Sequence, residues 1–400
     1  MGILNSYRVK DLLHFLKMYR RHQRRNKLWF RYFREAFENG SFAMPFPAII
    51  QILPTERCNL SCKMCNQWGE RGYYHSHDDA VGDMPIEKLI SFLNSIESSD
   101  FLLNIHGGEP FCYKHMDKLL DYIIETGRDT LFTTNATLLD KYLPKLGKLK
   151  NAMYFISVDG DQDTNDQIRG SGTFQKIKDN LKNLKESCLE QSGIMPYFSM
   201  NFCVSEYIKP SSILQAYKVA KELCFFNINY GLLWFVVDEA GHEYEQQLKD
   251  EFQIAASDCW KALLHDFSTF NGKGVSQAIS KIRNNLAFRL RLPYVSVTPR
   301  DATSAEQIER HFSEHDYSHG REKCLMPFYF ARVHSDGNVI FCQGFRDIIA
   351  GNVFCNDFAT AFNSEVAQKF REFCMRNRFS ICSKCCGFYL SPIFDGLKGK

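Results

Sequence analysis

The chain reads as an α/β protein whose parallel sheet curves into a partial barrel. Three observations predict this fold. Between residues 48 and 236, short apolar runs alternate six times with amphipathic stretches of helical period. Polar and glycine-bearing segments recur at the same end of successive runs, and a loop of three cysteines follows the first run directly. Strands joined through helices of about 10 to 15 residues pair in parallel, and such folds gather their chemistry at the C-terminal ends of the strands.

Composition narrows the function. The chain has 400 residues, 44% of them hydrophobic, with a net charge of +3. That charge is too small for its size to imply a nucleic-acid partner. Fifteen cysteines, odd in number and unevenly spaced, do not suggest a disulfide scaffold and point to metal instead. No apolar run reaches the ~18 residues of a membrane span, and no signal peptide opens the chain. The expected location is cytoplasmic, in a reducing and oxygen-poor setting.

Taken in order, residues 1–44 form a basic helical arm. Positions 8–38 carry ten Lys or Arg against three acids, interleaved with helically spaced apolar residues such as Leu12, Phe15, Trp29 and Phe33; Gly40, Pro45 and Pro47 end the segment. Such a helix either packs on the body with a solvated basic face or lies peripherally on an anionic membrane. Residues 45–236 form the barrel, with strands at 48–53, 101–105, 130–134, 153–158, 197–204 and 226–236. Helices are expected near 86–97, 113–126, 139–149, 173–190 and 210–223. Residues 237–320 are polar and read as a mostly helical linker or insertion. Residues 321–400 read as a small cysteine-rich α+β domain, with Ser335-Asp-Gly-Asn as a hairpin turn.

The loop spacing is Cys58-x3-Cys62-x2-Cys65, with no nearby cysteine or histidine to close a tetrahedral zinc site. Three thiolates can hold three corners of a four-iron cluster and leave the fourth iron open. After the second strand come Gly107, Gly108, Glu109 and Pro110. The glycines allow close backbone approach, and Glu109 with nearby carbonyls offers acceptors to a cationic amine. A second group comprises Cys324, Gly337 and Cys342 in a C-x12-G-x4-C pattern, then Cys382-Ser-Lys-Cys385. By spacing alone it suits zinc or a cluster.

On these motifs, over roughly residues 48–236, the chain resembles the radical S-adenosylmethionine superfamily, whose signature CxxxCxxC loop follows the first strand of a partial (β/α)6 TIM-type barrel. Met64 stands where many members carry an aromatic residue. The resemblance implies a [4Fe-4S] cluster on Cys58, Cys62 and Cys65 that binds S-adenosyl-L-methionine. Its reductive cleavage yields a 5′-deoxyadenosyl radical, which takes hydrogen from a substrate. It also implies that Gly107 to Pro110 meet the methionyl amino group. Ser157, Asp159 and Arg169 would lie at the carboxylate or ribose, and Asn135, Asn201 and residues 232–234 near ribose and adenine.

The second cysteine group resembles the opening half of the SPASM domain. With no cysteine beyond Cys386, it stands closer to the twitch form, with one auxiliary [4Fe-4S] cluster on Cys324, Cys342, Cys382 and Cys385. Cys355, Cys374 and Cys386 are available to replace one ligand. The expected reaction is net oxidation of a sugar or aminocyclitol-like molecule or of a peptide, with the auxiliary cluster accepting an electron and flavodoxin or ferredoxin as one-electron reductant. The alternatives are radical modification of a membrane lipid, or a non-catalytic iron-sulfur carrier or zinc-stabilised binding protein. His75, His77, Asp78, Asp79 and His106 are candidate bases, and none is assigned a catalytic role.

Overall fold

A computed structural model describes residues 7–78, 81–96, 101–285 and 292–387; Asp79 lies outside them. Strands β1 (Ile49–Ile52), β2 (Leu102–Ile105), β3 (Thr130–Thr134), β4 (Ala152–Ser157), β5 (Tyr197–Val204) and β6 (Asn227–Leu232) lie side by side in chain order. All five pairings between them are parallel. The long N-terminal helix α1 is Val9–Glu38, and the crossovers run through α2 (Ile86–Ser95), α3 (Met116–Thr126), α4 (Leu143–Leu146), α5 (Gln162–Arg169), α6 (Thr173–Gln191) and α7 (Pro210–Glu222). The expected helix at 139–149 is instead a 3-10 turn, Leu139–Tyr142, followed by the single turn α4. Pro144 falls in the first turn of α4, where its missing N–H costs nothing, but it cannot continue the preceding turn.

Two strands beyond the expected six extend the barrel sheet at its two edges. Segment 237–320 contains α8 (Asp238–Phe252) and α9 (Gly272–Asn284), but also β7 (Tyr294–Thr298), which pairs in parallel with β6. Its sequence, Tyr-Val-Ser-Val-Thr between Pro293 and Pro299, has the β-branched alternation of a strand. On the other side β8 (Phe330–Val333) pairs in parallel with β1. β9 (Asn338–Ile340) then turns back antiparallel through the Ser335-Asp-Gly turn, and β10 (Gly351–Asn352) follows. The cysteine-rich C-terminal segment therefore shares one ten-stranded sheet with the barrel.

Alternation along the strands divides the sheet into two faces. Tyr154, Ile156, Phe198, Met200, Phe202, Ile228 and Tyr230 are buried. Their neighbours Phe155, Ser157, Asn201, Cys203, Asn227 and Asn229 are only half-buried. Asn229 accepts hydrogen bonds from Ser296 and Thr298 of β7, and at the other edge Arg332 of β8 donates to its register partner Gln51 of β1. The centre of a complete TIM barrel is filled with branched aliphatic side chains. Here the concave face is polar and incompletely covered, as a ligand-admitting lumen requires.

Helix α1 closes the N-terminal end of the barrel. Arg21 and Arg25 both donate to Asp129, one residue before β3. Trp29 donates its indole N–H to the Phe328 carbonyl at 2.7 Å, and the Tyr329 hydroxyl donates to Asn26. Phe15 packs edge-on against Tyr197 and Phe226, at the starts of β5 and β6. The helix is packed on the body along this face. Among the described residues no helix is long and apolar enough to cross a membrane.

Candidate functional site

The loop after β1 and the Gly-Gly-Glu-Pro loop after β2 are joined backbone to backbone. Gly108 N–H donates to the Thr55 carbonyl and Glu109 N–H to the Arg57 carbonyl, at 3.3 and 2.8 Å. A Cβ on Gly107 would lie 2.4 Å from the Thr55 oxygen, and one on Gly108 2.4 Å from the Glu56 oxygen. Only glycine permits that approach. Here the loop that would meet a methionyl amine is locked to the loop that carries the cysteines.

Glu109 braces the loops around it. Its carboxylate is buried and fully engaged, accepting from Phe111 N–H and the Thr134 hydroxyl on one oxygen and from Asn135 N–H on the other. Burial raises its pKa to about 7 despite these three donors. It ties the β2 loop to the end of β3. Asn135 is similarly committed. Its amide donates to Asn59, within the cysteine loop, and its oxygen accepts from Thr137.

Each of the three loop sulfurs has donors around it. Leu60 N–H points to Cys58 Sγ at 3.4 Å, and Gln67 and Trp68 N–H point to Cys65 Sγ at the same distance. Arg169 Nη1 stands 3.7 Å from Cys62 Sγ. Burial pushes the Cys58 and Cys62 thiols up, while Arg169 opposes this at Cys62. Metal binding reverses that penalty, since iron takes the thiolate. N–H groups aimed at sulfur are what thiolate ligands of a cluster use, so these residues fit the [4Fe-4S] group.

Arg169, at the end of α5, also forms an ion pair with Asp159, Nε to Oδ2 2.8 Å. Asp159 is fully buried and accepts from Cys203 N–H of β5. Ser157, the last residue of β4, is the register partner of Asn201 within β5, and both lie on the half-buried face. Asp159 and Arg169 are thus brought together beside Cys62. Trp234 is not: its indole donates to the Ile381 carbonyl and its ring packs on Phe345, in the C-terminal segment. Among the candidate bases, His106 is turned onto the Gly107 backbone, with burial lowering its pKa to about 4. His77 stacks on Tyr73, and His75 lines an outer cleft.

In the C-terminal segment Cys324, Cys342, Cys382 and Cys385 line one cavity of about 40 Å³, and Cys374 joins them. The wall between them is apolar, with Trp234, Phe341, Phe345 and Phe370. Cys355 is exposed, and the Cys386 thiol lies against the Gln343 side chain. Among the described residues no three Cys, His, Asp or Glu side chains stand close enough to share a single metal ion. Four or five sulfurs around one cavity are a donor set that could hold an iron-sulfur cluster.

One buried group between the two cysteine sets has no signal in the sequence. Glu56, two residues before Cys58, accepts from His334 Nδ1 at 2.8 Å and from the Tyr74 hydroxyl at 2.6 Å. These donors hold its pKa down to about 2 against the cost of burial. Glu56 and His334 are 278 positions apart, and only the pairing of β1 with β8 brings them together.

Comparison with known proteins agrees with this geometry. Residues 52–200 match the Radical SAM superfamily, and residues 324–386 match SPASM, an iron-sulfur cluster-binding domain. The antilisterial bacteriocin subtilosin biosynthesis protein AlbA of Bacillus subtilis is 22% identical over 369 residues, covering 89% of this chain and 69% of AlbA. The fold is similar to that of Streptococcus suis SuiB bound to S-adenosylmethionine, with a TM-score of 0.61 at 16% identity, over 90% of this chain and 75% of SuiB. It is also similar to anSMEcpe with bound AdoMet, with a TM-score of 0.56 at 17% identity, over 82% and 84%.

Proposed function

The chain is a radical S-adenosylmethionine enzyme with a C-terminal SPASM iron-sulfur domain, and from that premise we infer that it modifies a peptide. The observation that carries this reading is the polar, half-buried face of β5 and β6, linked to the Cys58–Cys65 loop through Asp159 and Arg169. An extended chain needs hydrogen-bonding partners along its length, and the Asn, Ser and Thr side chains of β5, β6 and β7 supply them. Similarity to a bacteriocin biosynthesis protein over 89% of the chain supports the same substrate class. So does the likeness to SuiB, which has been solved with its precursor peptide SuiA.

When bound, the [4Fe-4S] cluster and S-adenosylmethionine would supply the 5′-deoxyadenosyl radical, and an auxiliary cluster in the SPASM domain would accept one electron from the substrate radical left by hydrogen abstraction, completing a two-electron oxidation. The residues of this chain position those groups. Cys58, Cys62 and Cys65 hold the first cluster, and Cys324, Cys342, Cys382 and Cys385 hold the second. Carbonyls of Gly107 to Pro110 meet the methionyl amine. Arg169, oriented by Asp159, offers its remaining N–H groups to a carboxylate beside Cys62, with Ser157 and Asn201 lining the approach. A flavodoxin or ferredoxin supplies the electron for cleavage.

A sugar or aminocyclitol substrate has no comparable support. Lipid modification is disfavoured by position, because the basic arm closes the end of the barrel opposite these loops. A non-catalytic carrier or zinc protein gives no reason for the Gly107–Gly108 clamp on the cysteine loop. The test is anaerobic reconstitution followed by incubation with deuterated peptides or deuterated sugars. Deuterium in 5′-deoxyadenosine from a peptide is expected; transfer from sugars alone would overturn the reading.

A further inference from the structure

The outward face of α1 differs from the face that closes the barrel. Val9, Leu13, Leu16 and Tyr19 are 74%, 54%, 42% and 58% exposed. At spacings of three and four residues they lie along one side of the helix. Lys10, Lys17 and Arg20 are exposed beside them. Asp11, the first acid of the helix, is buried and occupied by Arg8 and the Met195 amide, so it does not offset these cations at the surface.

Charge is segregated along the chain in the same sense. Ten of its cations and only three acids fall within positions 8–38, while the whole chain is only +3, so the remainder is net acidic. The bonds of Arg21, Arg25, Asn26 and Trp29 to the barrel fix the helix, so this face is presented as a rigid surface and does not fold upon contact.

We propose that this face of α1 docks on an anionic lipid surface. Val9, Leu13 and Leu16 enter the boundary between headgroups and acyl chains, and the flanking Lys and Arg lay their stems along it with their charges on headgroup phosphates. A nucleic acid would use the cations but leave the aliphatic side chains in water, which favours lipid. Because α1 covers the N-terminal end of the barrel, docking there turns the cysteine loops and the lumen toward solvent. This proposal is independent of the peptide reading.

The test is co-sedimentation of the full chain with phosphatidylcholine vesicles, with and without about 30% phosphatidylglycerol. Binding is expected to the anionic vesicles, weakened about tenfold without phosphatidylglycerol or in about 0.5 M salt. Leu13→Glu with Leu16→Glu should lower binding about tenfold, as should Lys10→Glu with Lys17→Glu. Both pairs are exposed, so melting and 5′-deoxyadenosine production should match the parent chain. No binding to anionic vesicles would overturn the proposal. So would undiminished binding by the Leu13→Glu/Leu16→Glu chain, which would reduce the effect to charge attraction, or retention on DNA with no vesicle binding.

Discussion

Arg169 reaches the sulfur of Cys62, with Nη1 3.7 Å from Sγ, while its Nε lies 2.8 Å from the buried Asp159 carboxylate. One guanidinium therefore joins the end of β4 to the cysteine loop. Burial raises the pKa of Asp159, and Arg169 is the opposing charge that keeps the carboxylate tenable. Arg169→Met leaves Asp159 buried and unpaired, and should destabilise the metal-free protein by about 3–5 kcal/mol. Adding Asp159→Asn should recover part of that loss. Urea unfolding of the three chains measures both effects, and equal stability of Arg169→Met and the parent would refute the pairing.

Glu109 makes stability depend on pH. Its carboxyl titrates near 7 in the fold because burial disfavours the charge, against 4.5 when free. The folded chain therefore holds a proton that the unfolded chain has lost between these values, and stability falls as pH rises through the window, by roughly 3 kcal/mol in all. Glu109→Gln should abolish that slope. It should also cost about 1–3 kcal/mol, since an amide nitrogen would face Asn135 N–H. Urea midpoints at intervals from pH 4.5 to 7.5 test both statements.

The five-cysteine cavity gives an expectation for iron. Replacing Cys58 or Cys382 with Ala should remove about four of about eight irons per reconstituted chain, each through its own cluster. Cys355→Ala, at an exposed position, should leave the count unchanged. If Cys374→Ala lowers iron by about four while Cys385→Ala does not, Cys374 is the fourth ligand. Iron analysis with visible absorbance decides the set.

Asp129 anchors the arm. It accepts from Arg21 at 2.8 Å and from Arg25 at 2.9 Å, and Arg25 is itself nearly buried. Asp129→Ala strands that arginine and should cost about 3 kcal/mol. Limited proteolysis should then cut within residues 9–38 before the barrel, and cleavage kinetics unchanged from the parent would contradict the anchoring role.

Much of this was legible along the chain because it is local. Strand-helix alternation, the CxxxCxxC loop and the Gly-Gly-Glu-Pro turn are patterns within a few residues, and their periods and spacings follow from backbone geometry. β7 carried a readable alternation, but it lay in a segment dominated by polar helices. Glu109 shows a different limit: nothing in its neighbours along the chain announces that Phe111, Thr134 and Asn135 hold its carboxylate.

The sequence by itself determined the three-cysteine loop, the order of the barrel elements and the presence of a second cysteine group. Tertiary structure decided the rest. It placed α1 across the N-terminal end of the barrel, joined β8 to β1 so that His334 meets Glu56, and gathered Cys324, Cys342, Cys374, Cys382 and Cys385 around one cavity. The reason is physical. Local propensity and spacing depend on neighbours in the chain, whereas burial, ion pairing and ligand convergence depend on which distant strands share a sheet.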